Sequence, residues 1–275
     1  MMRTATAEEV ALAMDWAAAE GWNPGTEDAA AFRAADPGGF FVAEAEGRPV
    51  AAISVVNHSD SYSFLGLYLC LPEFRGRGLG FALWSHALAH AGSRTVGLDG
   101  VAAQEANYAR SGFVRTGATL RHEGPAPIGE IGGLRPAAGS DLPQLAALDL
   151  AANGVGRPRF LGAWLMQAAS RRTTVLERDG RIAGFATARL CRDGACKIGP
   201  VIAPDEDAAW ALIAGAAASL DAGRIIVDLP EAQAGLAARL AAAGFDMTFA
   251  TARMYRGPAP ETGPELFGIA TMELG

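Results

Sequence analysis

Leu71-Pro72-Glu73-Phe74-Arg75-Gly76-Arg77-Gly78-Leu79-Gly80-Phe81-Ala82-Leu83-Trp84 is the stretch on which the reading of this chain turns. It continues an apolar, aromatic run, Ser63 to Leu71, that is short enough for a buried strand, and Pro72 stops that strand. A glycine-dense turn follows, and an amphipathic helix begins at its last glycines. Glycine lets backbone amides approach a ligand closely, and a helix start leaves N–H donors unpartnered at the positive end of its dipole. Such a place binds phosphate. It is not a P-loop, because no Gly-Lys-Ser/Thr follows, and Gly76-x-Gly78-x-Gly80 lacks the final spacing of the dinucleotide fingerprint. From the glycines alone, a plain surface turn remains the other reading.

Outward from this stretch, residues 7–20 read as a helix, 39–45 and 49–57 as strands around the Glu46-Gly47 turn, and Gly78 to Ala91 as a helix. A strand at 94–99, a helix at 102–111 and a strand from Phe113 complete an α/β order. Residues 123–133 concentrate Gly and Pro without periodicity and read as a linker. The chain then starts again, with a strand at Arg135 to Ala138 and a helix at 141–152. Asp179-Gly180-Arg181 repeats Glu46-Gly47-Arg48, Ala203-Pro204-Asp205 repeats Leu71-Pro72-Glu73, and Ala243-Gly244-Phe245 repeats Ser111-Gly112-Phe113. The last two pairs share an offset of 132 residues, which reads as an internal duplication: a domain at 1–122, a linker at 123–133 and a second copy at 134–275.

The glycine stretch resembles the pyrophosphate signature of the GNAT acetyltransferase family, Arg/Gln-x-x-Gly-x-Gly/Ala, with Arg75, Gly78 and Gly80 at its fixed positions. A second element, Asn107-Tyr108-Ala109-Arg110-Ser111-Gly112-Phe113, looks like the family's helix ending in Tyr-x-x-x-Gly-Phe. The resemblance implies an α/β fold with a mixed sheet, built as two tandem GNAT-like acyl-CoA acyltransferase domains, the second degenerate. It implies acetyl-CoA as co-substrate, with the pyrophosphate on the amides of Arg75, Gly76, Arg77, Gly78, Leu79 and Gly80. The pantetheine arm would lie along Leu69, Cys70 and Leu71, where the strand from Tyr68 splays from its neighbour, within reach of Gln104 and Asn107. Tyr108 would protonate the departing thiolate. For the amine base Asp99 is one candidate, at a strand end where α/β ligands gather, although it is equally placed to cap the helix after Val101. His58 and Asp60 read as further candidates or as a polar turn. Trp22 and Asn23, in the loop between the first two helices, and Tyr68 would contact the acceptor; Trp22 also reads as a cover over the core.

With the 132-residue offset, Arg75 falls on Asp207, Gly78 on Trp210, Gly80 on Leu212 and Tyr108 on Leu240, so the second copy is expected not to hold CoA. Acidic side chains there repel phosphate, and an indole stands where glycine is needed. Arg253 and Glu273 either reach a cleft between the halves or are strand-end charges. His86 and His90 have ligand spacing on one helix face but lack a third partner, so no metal is expected.

Half of the 275 residues are hydrophobic, 19% are charged and the formal net charge is -7, a globular balance without the basic surface that nucleic acid requires. No apolar run is long enough to span a bilayer, no signal-peptide core stands at the N-terminus, and three irregularly spaced cysteines build no disulfide framework. The expectation is a cytoplasmic N-acetyltransferase moving acetyl from acetyl-CoA to a primary amine of a small molecule, with neither nucleic acid nor membrane as partner. A homodimer is left open. The alternative is a non-catalytic acyl-CoA sensor.

Overall fold

The computed structural model describes residues 1–127 and 132–275. The first half runs β1 (Met2–Thr4), α1 (Ala7–Ala19), α2 (Asp28–Ala35), β2 (Phe40–Ala45), β3 (Arg48–Asn57), β4 (Tyr62–Cys70), α3 (Leu79–Leu88), β5 (Thr95–Val101), α4 (Glu105–Arg110) and β6 (Val114–Pro125). The second half repeats it: β7 (Leu134–Pro136), α5 (Leu142–Asn153), α6 (Pro158–Trp164), β8 (Arg171–Arg178), β9 (Arg181–Leu190), β10 (Cys196–Ile202), α7 (Glu206–Ala218), β11 (Arg224–Pro230), α8 (Ala234–Ala242) and β12 (Asp246–Arg256), followed by a short β13 (Leu266–Gly268).

Local chemistry fixes the element ends. Thr6 caps α1, its hydroxyl accepting from the Glu9 amide while Glu9 accepts from the Thr6 amide at 2.8 Å. Val10, Ala13, Met14 and Ala17 then form the buried stripe of that helix. The two hairpins turn at Glu46-Gly47 and Asp179-Gly180, with φ of 54° and 74° in one and 50° and 70° in the other. Paired positive φ is the twist-matched hairpin geometry that favours Asp-Gly-type sequences.

The strands form one mixed sheet in the order β1-β2-β3-β4-β5-β12-β6-β11-β10-β9-β8-β7, with β13 beside β10. The halves exchange their last strands. β12 lies against β5 of the first half, and β6 lies against β11 of the second. The duplication is thus a fold-level fact, but the halves are not separable at the linker. Glu123 to Pro125, read from composition as linker, are the end of β6 and pair with β11. Gly124 is there for close packing rather than flexibility, since a Cβ on it would sit 2.4 Å from the Phe245 ring. Residues 128–131 of the expected linker lie outside the described residues.

Each half carries the same opening. β4 and β5 run parallel from Tyr62↔Thr95 to Leu65↔Leu98, and beyond that pair they part. A bulge against β3 falls at the same place, with Leu67 at φ 47°. In the second half the β10–β11 pairing ends at Ile198↔Val227, and β10 bulges between Ile198 and Val201. There β13 enters the gap. It pairs with β10 at Val201↔Gly268 and Ile202↔Leu266, and the Ile269 amide donates to the Asp228 carbonyl of β11 at 3.0 Å.

Candidate active site

The parted strands of the first half open into a cavity of about 580 Å³. Its floor is β4 from Leu65 to Cys70. One wall carries Gly76, Gly78, Gly80 and Phe81, another Leu98, Asp99, Gln104 and Tyr108, and the rim Glu20 and Trp22. The second half supplies Phe249 and Thr251 of β12, and the tail after β13 supplies Met272 and Glu273. A groove of about 910 Å³ between α3 and α4 shares Tyr68, Phe81, Gln104 and Tyr108 with it and carries Asn107 and the cations Arg110 and Arg256.

The glycine turn is built for amide exposure. Gly76 and Gly78 adopt φ of 73° and 77°, and nothing lies within 4 Å of where their Cβ atoms would be, so it is conformation rather than space that requires glycine. Gly80 answers a different need, because a Cβ there would meet the Tyr68 hydroxyl at 2.7 Å. The amides of Phe74 and Arg75 are spent on Leu71 and Pro72, whereas those from Gly76 to Phe81 have no acceptor among the described residues. The Arg75 side chain ties the turn down, donating to the Cys70 carbonyl at 2.8 Å and to Glu20 at 2.6 Å. A row of free amides at a helix start suits a pyrophosphate.

Tyr108 stacks on Trp84, with centroids 5.3 Å apart, and its ring packs where a Cβ on Gly100 would otherwise be. Its hydroxyl makes no hydrogen bond among the described residues, and the residue lines both the cavity and the groove. Burial, and then the neighbouring Tyr68, push its pKa up to about 12, so it stays a proton donor at neutral pH. Gln104 lines both cavity and groove and accepts from the Asn107 amide group.

Other residues proposed from the sequence are placed elsewhere. Asp99 touches the cavity, but its side chain is fully buried and its carboxylate is consumed. Arg253 donates to it twice, at 2.9 and 2.6 Å, and the hydroxyls of Thr119 and Thr251 donate at 3.0 and 3.2 Å. A carboxylate holding four such donors is an anchor between β5 and β12, which removes the argument for it as the amine base. It does not cap a helix either. Leu71 spends its amide on Val50 at 2.9 Å, and neither Leu71, Arg77 nor Leu79 lines the cavity; Arg77 lies over the Phe74 ring. Asn23 is a cross-brace, accepting from Arg121 at 3.0 Å and donating to Asp193 at 2.9 Å, while Trp22 and Tyr68 do line the cavity. His58 is buried against Tyr62 and Phe160, and burial pushes its pKa down to about 3. Asp60 lies in solvent beside Arg94. His90 pairs with Asp36, and no metal-holding group of His, Cys, Asp or Glu occurs among the described residues. Cys70, Cys191 and Cys196 are free thiols.

The second copy lacks this cradle for a reason that goes beyond charge. Asp205 caps α7 through the Ala208 amide at 2.7 Å, so the helix starts where the first half still has its turn, and Trp210 falls inside it. Amides left free in one half are spent on helix in the other. Asp207 pairs with Arg239, whose guanidinium also covers the Trp210 ring at 4.6 Å. Of the two second-half residues that the sequence offered for a cleft between the halves, Glu273 lines the cavity and Arg253 is spent on Asp99; what the sequence missed is the rest of the second half's share in the site. Phe249, Thr251 and Met272 carry no motif, and only the exchange of β12 and the course of the tail bring them there.

The comparisons agree with this architecture. The profile of the Acetyltransferase (GNAT) family matches residues 8–116, and that of an Acetyltransferase (GNAT) domain matches residues 145–268. The chain is 32% identical over 277 residues to a holothin acyltransferase of Pseudoalteromonas sp. (strain SANK 73390), covering 99% of this chain and 94% of that protein. A candidate acetyltransferase from Pyrococcus horikoshii superposes with a TM-score of 0.84 at 20% identity, covering 100% of this chain and 95% of its own. A tandem GNAT protein from the clavulanic acid biosynthesis pathway superposes with a TM-score of 0.64 at 18% identity, covering 94% and 99%. A free-amide turn beside parted strands, repeated once in degenerate form and matched over nearly the whole length, places the chain in the GNAT family as a tandem acyl-CoA-dependent acyltransferase.

Proposed function

We propose that the chain is a cytoplasmic enzyme that transfers an acetyl group from acetyl-CoA to the primary amine of a small molecule. The observation that carries this is the coincidence, around one cavity, of the free-amide turn that contributes Gly76, Gly78, Gly80 and Phe81 with Tyr108, whose hydroxyl is unbonded among the described residues. The amides and the groove between α3 and α4 would hold the nucleotide and pyrophosphate. The edge of β4 beyond Leu65, released from β5, offers backbone groups to the pantetheine arm and a donor to the thioester oxygen as charge develops on it. Tyr108 gives its proton to the departing sulfur.

Trp22, Phe249 and Met272 make the acceptor side largely apolar. Such walls suit a flat or apolar amine better than a polyamine or an amino sugar. The Pseudoalteromonas relative acts on holothin, and holothin is therefore the first acceptor to try. The test is thiol release from acetyl-CoA with holothin and a panel of primary amines, run with wild type and Tyr108→Phe. The expected result is turnover that drops on the order of 10²-fold in kcat in the variant, with acetyl-CoA affinity nearly unchanged. Binding of acetyl-CoA without thiol release from any amine would favour a sensor instead.

A further inference from the structure

With Asp99 consumed by Arg253, the proposed reaction lacks a proton acceptor in the first half's own motifs. The tail provides one. After β13 fills the second opening, the chain crosses to the first and touches both bulges in passing. The Ile269 carbonyl lies where a Cβ on Gly199 would be, and the Glu273 carbonyl lies where a Cβ on Gly66 would be, 2.1 Å away in each case. Gly66 is the first residue of β4 beyond its last pair with β5, the point where the strands part. Glu273 therefore stands at the apex of the cleft and lines the cavity together with Tyr108. A short turn fixes it: the Thr271 hydroxyl accepts from the Glu273 amide at 3.2 Å and donates to one carboxylate oxygen. No cation forms a salt bridge with Glu273 among the described residues, in contrast to Asp28, Asp99 and Asp228.

We propose that Glu273 is the group that takes the amine proton during acetyl transfer. The inference rests on the acetyltransferase reading above. As the amine nitrogen bonds to the thioester carbon, one N–H proton passes to the Glu273 carboxylate. The C–S bond then breaks, and the sulfur takes a proton from Tyr108. Glu273 gives up its proton to solvent and Tyr108 regains one, so the balance is one amine hydrogen exchanged for acetyl and one proton on sulfur.

The surroundings make Glu273 a stronger proton acceptor than an exposed carboxylate. Burial raises the Glu273 pKa above the usual carboxylate range; Lys197 of β10, Arg189 of β9 and Arg121 of β6 oppose the rise, and Asp28 of α2 adds to it. Lys197, Arg121 and Arg189 are themselves engaged by Asp228 and Asp28. They moderate the site without neutralising it. The reaction should therefore fail as pH falls through this raised pKa, because a protonated carboxyl accepts nothing.

Three variants assayed with acetyl-CoA and holothin, or with whichever panel amine proves active, provide the test. Glu273→Gln keeps size and hydrogen bonding, and should lower kcat/KM for the amine on the order of 10²-fold and abolish the acidic limb of the pH profile. Its acetyl-CoA Kd should stay within about twofold, because the group acts on the amine and not on the thioester carrier. Glu273→Asp should recover part of the rate. Glu273→Ala should be rescued by formate in a concentration-dependent way, a response that a packing defect does not give. A folded Glu273→Gln enzyme with wild-type rate and an unchanged acidic limb would overturn the inference while leaving acetyl transfer standing. A wild type that releases thiol with no amine would overturn both.

Discussion

The two halves build the same wedge between parallel strands and meet its consequences in opposite ways. Parting β4 from β5, or β10 from β11, frees backbone donors and acceptors that cannot be buried unpaired. In the second half the chain answers this from within. β13 pairs with β10, Ile269 reaches β11, and α7 starts early enough to absorb the loop amides. In the first half β4 stays open on one edge, and the turn from Gly76 keeps its amides free. A duplicated fold needs only one such opening for chemistry; the other becomes a dock for the tail, and the tail then carries Met272 and Glu273 into the working site. The degenerate copy therefore lines part of the candidate site.

The comparison is tightest at the exchanged strands, and breaking it there should have the largest effect. Asp99 faces Arg253 across β5 and β12, and Asp228 faces Arg121 across β11 and β6, directly opposite in register in both cases. Arg121 and Arg253 are 132 residues apart, so these are two copies of one ion pair, each joining one half to the other. Both carboxylates are almost wholly buried; among the described residues, removing Arg253 leaves Asp99 with no cation, whereas removing Arg121 leaves Asp228 with Lys197 alone, at 3.6 Å. Arg253→Met should cost about 3–5 kcal/mol, seen as a Tm lower by on the order of 10 °C, and Arg121→Met less, because Lys197 still faces Asp228. Thermal unfolding followed by circular dichroism checks this. A loss for one variant and none for the other would mean that only one of the exchanged strands is held by its ion pair.

Next in size is a graft from the silent half into the open one. Gly78→Trp places the second copy's indole in the turn at φ 77°, a conformation that a side chain resists. Its Cβ meets open space, so the fold should survive while the amides are displaced. Acetyl-CoA affinity should fall by at least about 100-fold, roughly 2.7 kcal/mol, as read by isothermal calorimetry. Retained affinity would place the cradle away from this turn.

Much of the first half was legible because its signals are local. Proline ending β4, glycines at positive φ and the Tyr108 helix are each a few residues long, and the repeat showed in two short segments, Ala203-Pro204-Asp205 and Ala243-Gly244-Phe245, that share one offset from their first-half counterparts. The strand exchange was not legible, for a reason the ion pairs make plain. β6 and β12 carry the same Thr and Arg positions, Thr119 with Arg121 and Thr251 with Arg253, so either strand suits either aspartate. Sequence names the pair of partners but not which copy each belongs to. The same ambiguity led to Asp99 as a base, since the arginine that occupies it lies 154 residues along the chain. Gly124 misled in another way, its closeness to Phe245 being indistinguishable from a linker glycine until the packing is known.

The smallest effect on acetyl-CoA binding should come from the reverse graft, and its smallness is informative. If glycine at the cradle position were enough, Trp210→Gly would begin to restore a CoA site in the second half. Three features oppose it. The residue lies inside α7, whose amides are already bonded along the helix, and its neighbours Glu206 and Asp207 are acidic. The opening beyond is occupied by β13, so a pantetheine arm would have to displace the Val201↔Gly268 and Ile202↔Leu266 pairing. The variant should therefore lose about 1 kcal/mol for glycine in a helix, about 0.5–1 kcal/mol for the Arg239 contact with the ring, and on the order of 1 kcal/mol for the apolar area the indole covers on the core beside α7. A Tm lower by a few degrees should follow, with calorimetry still giving one acetyl-CoA per chain in variant and wild type alike. A second binding event in Trp210→Gly would show that the tail yields readily, and that the second half is held silent by a single side chain rather than by the course of the chain through it.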